Sequence, residues 1–145
     1  MSGSLTYQQD RRSVQQTLTL LKQLGVTVVL KQPRKRGAAG EWIPHTRTIR
    51  IRPDIPALGS RAFARVLNHE VIHVAQSCKG GGLSGFPVTL GLGGQPSRES
   101  LRVLKRHPVY AKAPQRVRQV EIEAFANQDR LDLGPSLLSR HCGRS

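Results

Sequence analysis

The 145-residue sequence predicts a single α+β domain, several helices packed on a small, mostly antiparallel sheet. Three observations lead there. Apolar residues recur at helical spacing in separate stretches, and short β-branched or alternating runs lie between the first two of them. No internal repeat or shift in composition divides the chain, and its length suits one modest core. With 37% hydrophobic and only 4% aromatic residues, that core must rest on Val, Leu, Ile and Ala.

Val14, Leu18 and Leu21, flanked by Leu20 and Leu24, place an amphipathic helix over 11–24, and Gly25 stops it. VTVVL (26–30) is short and β-branched, hence a strand. A basic, Gly-containing loop (33–40) leads to EWIP (41–44) and RTIRIR (47–52). Thr48, Arg50 and Arg52 alternate with Ile49 and Ile51, so this strand has one wet face. The turn around Pro44–Thr46 makes the two runs a hairpin. PDIPALGS breaks the pattern, and Ser60 is the expected cap of a helix over 60–78 with Phe63, Val66, Leu67, Val71, Val74 and Cys78 on one stripe. Residues 80–96, GGGLSGFPVTLGLGGQP, form a long loop, either a flap over a cleft or a tolerant connection. A short basic helix over 97–106, an interruption at Pro108 and a strong helix over 113–131 complete the domain. Residues 131–145 are expected as a loosely attached tail.

Composition bounds the function less tightly. Lys and Arg number 23 against 9 Asp and Glu, a net charge of +14, with a pI near 11.4. Such a field attracts polyanions, nucleic acid among them. The basic residues are dispersed (31–37, Arg98/Arg102/Lys105/Arg106, Arg116/Arg118) and no aromatic residues interleave with them for base stacking. The Gly-rich loop lacks the lysine and hydroxyl of a phosphate loop and does not join a strand to a helix, which argues against nucleotide binding. No stretch is apolar enough for a membrane span, and the N-terminus has no apolar signal-type segment. Cys78 and Cys142 make no disulfide framework, so a reduced, cytoplasmic protein with Cys78 as a buried thiol is expected.

Residues 67–76, LNHEVIHVAQ, carry the chemistry. On a helix His69 and His73 lie one turn apart on one face, so two imidazoles can meet one metal ion at the distances zinc requires. Glu70 projects beside them as a general base for water activation. Catalytic zinc takes a third protein ligand. Among the downstream candidates His107, Glu121, Glu123, Asp129, Asp132 and His141, the helix after 113 separates two glutamates by about 200° around its axis. Glu123 has the core-type surround of Val120, Ala124, Ala126 and Asn127, and is the expected ligand. Glu121, with Arg118 at i−3, is the alternative and reads as a solvent-facing pair.

HEVIH followed by a helix bearing EIEAFAN resembles the gluzincin branch of zinc metallopeptidases, in which a glutamate on a later helix is the third zinc ligand. That resemblance implies a minimal zincin-like fold and zinc-dependent hydrolysis of peptide bonds in a protein or peptide substrate. It makes Asn127, four residues after Glu123, a residue that orients a histidine ligand. Gln76 matches an HExxHxxQ variant and takes a similar supporting role. RTIRIRP is similar to the edge strand that lines the substrate cleft in zincins. The resemblance makes Tyr110 and His107 the candidate donors to the oxyanion, with Tyr110 the expected one. Two other expectations stand beside this one: a metallopeptidase held on nucleic acid by its charge, and a non-catalytic basic module whose metal is structural or absent.

Overall fold

The computed structural model describes residues 2–143. Helix α1 (Ser2–Gln23) is followed by strands β1 (Thr27–Leu30), β2 (Gly40–Ile43) and β3 (Thr48–Ile51), then by helices α2 (Ser60–Gly81), α3 (Arg98–Arg106), α4 (Pro108–Ala111), α5 (Gln115–Asn127) and α6 (Leu133–Cys142). The described residues thus form a mixed α+β structure. The sheet order is β1-β3-β2. β2 and β3 pair antiparallel as the expected hairpin, Trp42 opposite Ile49. β1 pairs with β3 in parallel, Val28 opposite Ile49, so the sheet is evenly mixed rather than mostly antiparallel. The hairpin turn is a short 3-10 helix closed by Arg47 at φ 52, whose N–H reaches the Pro44 carbonyl.

α1 begins well before residue 11. The polar stretch ahead of that residue contains no Gly or Pro breaker after Gly3, and buried Asp10 accepts from Arg61 Nη1 at 2.9 Å, tying this part of the helix to the start of α2. In β3, Ile49 and Ile51 are fully buried while Thr48 and Arg50 are half-exposed, the alternation expected of a one-faced strand. These isoleucines meet Leu21, Val26, Trp42, Leu67, Val71, Val74 and Leu138 in the main core. A smaller cluster of Ile72, Ala75, Ala124 and Leu137 lies on another side of α2. Helix α2 is therefore the axis of the molecule, buried from Leu67 to Ser77 without a break. Trp42 Nε1 donates to Ser77 Oγ at 2.9 Å and pins β2 to it. Gly59, at φ 119, occupies the position before α2. Ser60 is the first helical residue and supplies no cap.

Two expectations about the C-terminal end are corrected. The residues after 131 are not a loose tail: α6 buries Leu137 and Leu138 against α2, while residues 144–145 of that tail lie outside the described residues. Cys78 is not a free thiol but is bonded to Cys142, joining the last turn of α2 to the last turn of α6. Disulfides persist in oxidising compartments and are rare in a reducing cytosol, so the basis for expecting a cytoplasmic protein falls away. No helix among the described residues is long and apolar enough to cross a membrane. The bond closes a loop with a sequence separation of 64, for which the loss of unfolded-chain entropy is about 4 kcal/mol. Cys142→Ser should therefore lower the unfolding free energy by about 2–4 kcal/mol in denaturant titration. Reductant should do the same to the wild type and nothing to the variant.

Candidate metal centre

His69 and His73 project from the middle of α2 towards α5. Their ring centroids are 4.9 Å apart, and both residues are buried at 7% exposure. The carboxylate that joins them is that of Glu121. Its Oε1 lies 2.6 Å from His73 Nε2 and its Oε2 3.7 Å from His69 Nε2. One ligand atom from each of the three residues falls within a common 4.8 Å, so the group can hold a metal ion. Apart from this 2.6 Å ion-pair contact, buried His73 Nε2 has no hydrogen-bond partner, and buried Glu121 Oε2 has none either. Buried polar atoms without partners are uncommon in folded proteins. Here two of them point into one small space, as lone pairs converging on a cation would.

Each imidazole is held from behind. His73 Nδ1 lies 2.7 Å from Gln76 Oε1, and His69 Nδ1 lies 2.9 Å from Gln128 Oε1. With each Nδ1 turned to a glutamine oxygen, Nε2 of each ring faces Glu121 and is the atom that would bind a metal. Gln76 is thus placed behind His73. Asn127 is not so placed: its Nδ2 donates to the Gly93 and Glu123 carbonyls, away from either histidine. The residue behind His69 is Gln128, and Asn68 explains why it is in reach. From α2, Asn68 Nδ2 donates to the carbonyls of Gln128 at 2.8 Å and Arg130 at 3.1 Å, holding the turn that follows α5 against the helix that carries the histidines.

Glu123 is displaced from the expected role of third ligand. It is as buried as the ligands, but on the other side of α5, where its carboxylate accepts from Gln76 Nε2 and from the backbone N–H groups of Leu90, Gly91 and Leu92. Glu121 is not a solvent-facing residue either, with 5% exposure. Both sides of α5 are covered, one by α2 and the other by the Gly-rich loop, so neither glutamate faces water. That loop is accordingly pinned at 90–92 rather than free.

Electrostatics follow from this packing. Burial works against a charged His73, but the Glu121 carboxylate beside it prevails and raises its pKa to about 9. Burial also opposes ionisation of Glu121, and the two imidazoles reverse the balance and hold it well below the usual carboxylate range. Glu70 is not among the converging ligands. Burial raises its pKa, with His69 and His73 opposing the shift only in part. Tyr110 is also brought to the centre, 8% exposed, with its ring against Phe125. Burial and then the carboxylates of Glu121 and Glu70 raise its pKa, so the phenol keeps its proton. His107 packs against Gly37 instead and lines neither cavity at the centre.

Two cavities meet at Glu70, sharing Gly40, His69, Glu70 and Tyr110. The larger, about 500 Å³, has Trp42, Phe86, Pro87, Val117 and Val120 in its walls. The other, about 310 Å³, is more polar, with Arg65, Ser97, Glu99 and Asp129. The strand beside both is β2, the sheet edge, whereas RTIRIRP supplies the central strand β3. Gly40 opens β2 directly over Glu70. A Cβ there would stand 2.9 Å from Val66 Cγ1 and 3.0 Å from Glu70 Oε2. Gly40→Ala should therefore displace Glu70 while leaving the metal ligands in place. The expected result is unchanged metal content by elemental analysis.

Compared with protein-family models, curated proteins and solved structures, the chain matches none of them.

Proposed function

We propose that this protein is a zinc-dependent peptidase with a compact zincin-like domain. The observation that carries the reading is the buried convergence of His69, His73 and Glu121, with His73 Nε2 and Glu121 Oε2 left without hydrogen-bond partners. Two imidazoles and one carboxylate form a donor set typical of catalytic zinc. When bound, the ion would acidify water and polarise the scissile carbonyl.

The chain's own residues supply the rest. Glu70, beside the ligands and with its proton affinity raised by burial, takes a proton from the attacking water and hands it to the departing amine. Tyr110 keeps its phenolic proton and can donate it in a hydrogen bond to the oxygen on which charge develops. The open edge of β2 offers backbone groups to an extended chain laid across the cleft, and the apolar cavity beside it suits a bulky side chain. The close approach of β2 to Glu70 at Gly40 brings such a chain's backbone to the base. This combination favours peptides as the substrate.

The experiment is incubation of the purified protein, with zinc added, with a mixture of unstructured peptides, and analysis of the products by mass spectrometry. Cleavage that stops with chelator and returns with zinc is the expected result. Zinc uptake without cleavage of any peptide would instead favour a structural metal, and no uptake would remove the site.

A further inference from the structure

The metal centre and the Gly-rich loop meet at one residue. We infer that Glu123 is a positioning residue, which sets the orientation of His73 through Gln76 and with the same carboxylate seats the backbone of 90–92. Loop seating and metal affinity are then linked. This inference rests on His69, His73 and Glu121 being the metal site.

The chain of contacts is continuous. Gln76 is fully buried. Its Nε2 donates to the Val120 carbonyl at 3.1 Å and to Glu123 Oε1 at 2.9 Å. Both amide protons are thereby committed, which fixes Oε1 towards His73 Nδ1, 2.7 Å away. Were the amide flipped, its oxygen would face two acceptors and its NH2 group would take the place behind His73. Glu123 and the Val120 carbonyl thus decide that Nδ1 of His73 carries the proton and that Nε2 is left as the ligand atom. The carboxylate also polarises the amide, which strengthens its hold on the imidazole.

On its other side Glu123 receives three successive backbone donors, Leu90 N at 2.6 Å, Gly91 N at 2.8 Å and Leu92 N at 3.1 Å. Three neighbouring N–H groups can turn to one anion only if the backbone curls. Gly91 does so at φ +80, a conformation costly for residues with a side chain. Asn127 adds a further tie, from Nδ2 to the Gly93 carbonyl. If the loop lifts, the carboxylate loses three donors and must find water. The group that orients Gln76 then changes its surroundings. By thermodynamic reciprocity, a loop that strengthens metal binding is itself held more firmly when the metal is bound.

The test is a double-mutant cycle read by zinc affinity, in competition with a chromophoric chelator, on the full chain. Glu123→Gln and Gln76→Ala are each expected to weaken zinc binding by about 10–100-fold. Adding Glu123→Gln to Gln76→Ala should cost nothing more, because the path to His73 is already cut. In the wild type, zinc should slow amide exchange of Leu90, Gly91 and Leu92 by a similar factor, and in Gln76→Ala it should not. Equal losses from Glu123→Gln in both backgrounds, or wild-type amides indifferent to zinc, would overturn the inference while leaving the site intact. A wild type that binds no zinc overturns both. Should Glu123→Gln fail to fold, the exchange comparison between wild type and Gln76→Ala still decides the matter.

Discussion

Glu121→Ala is expected to reduce metal content from about one ion per chain to essentially none, whereas Glu123→Ala should retain an ion with weaker affinity. The two glutamates lie two residues apart on α5, both buried, and only their rotation about the helix axis separates their roles. Glu121 Oε1 and Oε2 face the two Nε2 atoms, and without them two neutral imidazoles remain, too few ligands for tight zinc binding. Glu123 spends its oxygens on Gln76 and three backbone amides and leaves none for an ion. Elemental analysis after dialysis reads the outcome, and Glu121→Gln separates loss of the ligand from loss of volume. Retention of zinc in Glu121→Ala together with its loss in Glu123→Ala would mean that α5 is turned the other way in the loaded protein.

The half of the site that was legible in the sequence is the half that is local. His69, Glu70 and His73 fall within five residues, so the 3.6-residue period of one helix places them whatever the rest of the chain does. The stripe of Val71, Val74 and Cys78 made that helix visible, and the Ile49/Ile51 alternation did the same for β3. The third ligand depends on how α5 rolls against α2, and this is settled by packing across the whole domain. Small neighbours around Glu123 correctly marked it as buried. They could not tell burial against an imidazole from burial against the amides of Leu90–Leu92. The available signals were weak ones: glycines at 91 and 93 spaced to curl a backbone, and a polar Asn68 inside an apolar helix next to a ligand. The parallel pairing of β1 and the Cys78–Cys142 bond lay further out of reach, since each joins segments whose proximity only the finished fold creates.

Glu70→Gln is the change expected to separate catalysis from binding most sharply. The side chain keeps its size and stays beside Gly40, Val66 and the two histidines, but an amide cannot take up a proton from water and pass it on. Turnover should fall by about 10²–10⁴-fold, the usual worth of a positioned general base, with metal content unchanged. Stability should not fall with it. Burial, with a smaller contribution from the Glu121 charge, already disfavours the ionised form of Glu70, so a neutral group of the same shape relieves a cost rather than adding one. The expected signature is therefore an inactive protein that binds zinc as the wild type does and unfolds at the same or a higher denaturant concentration. Activity retained in this variant would show that another group moves the proton. An unaltered biological effect alongside lost peptide cleavage would favour the rival view, a basic binding module in which the metal only holds α2 to α5. That view assigns no task to a buried carboxylate placed between the ligands and the edge of the sheet, and the peptidase reading does.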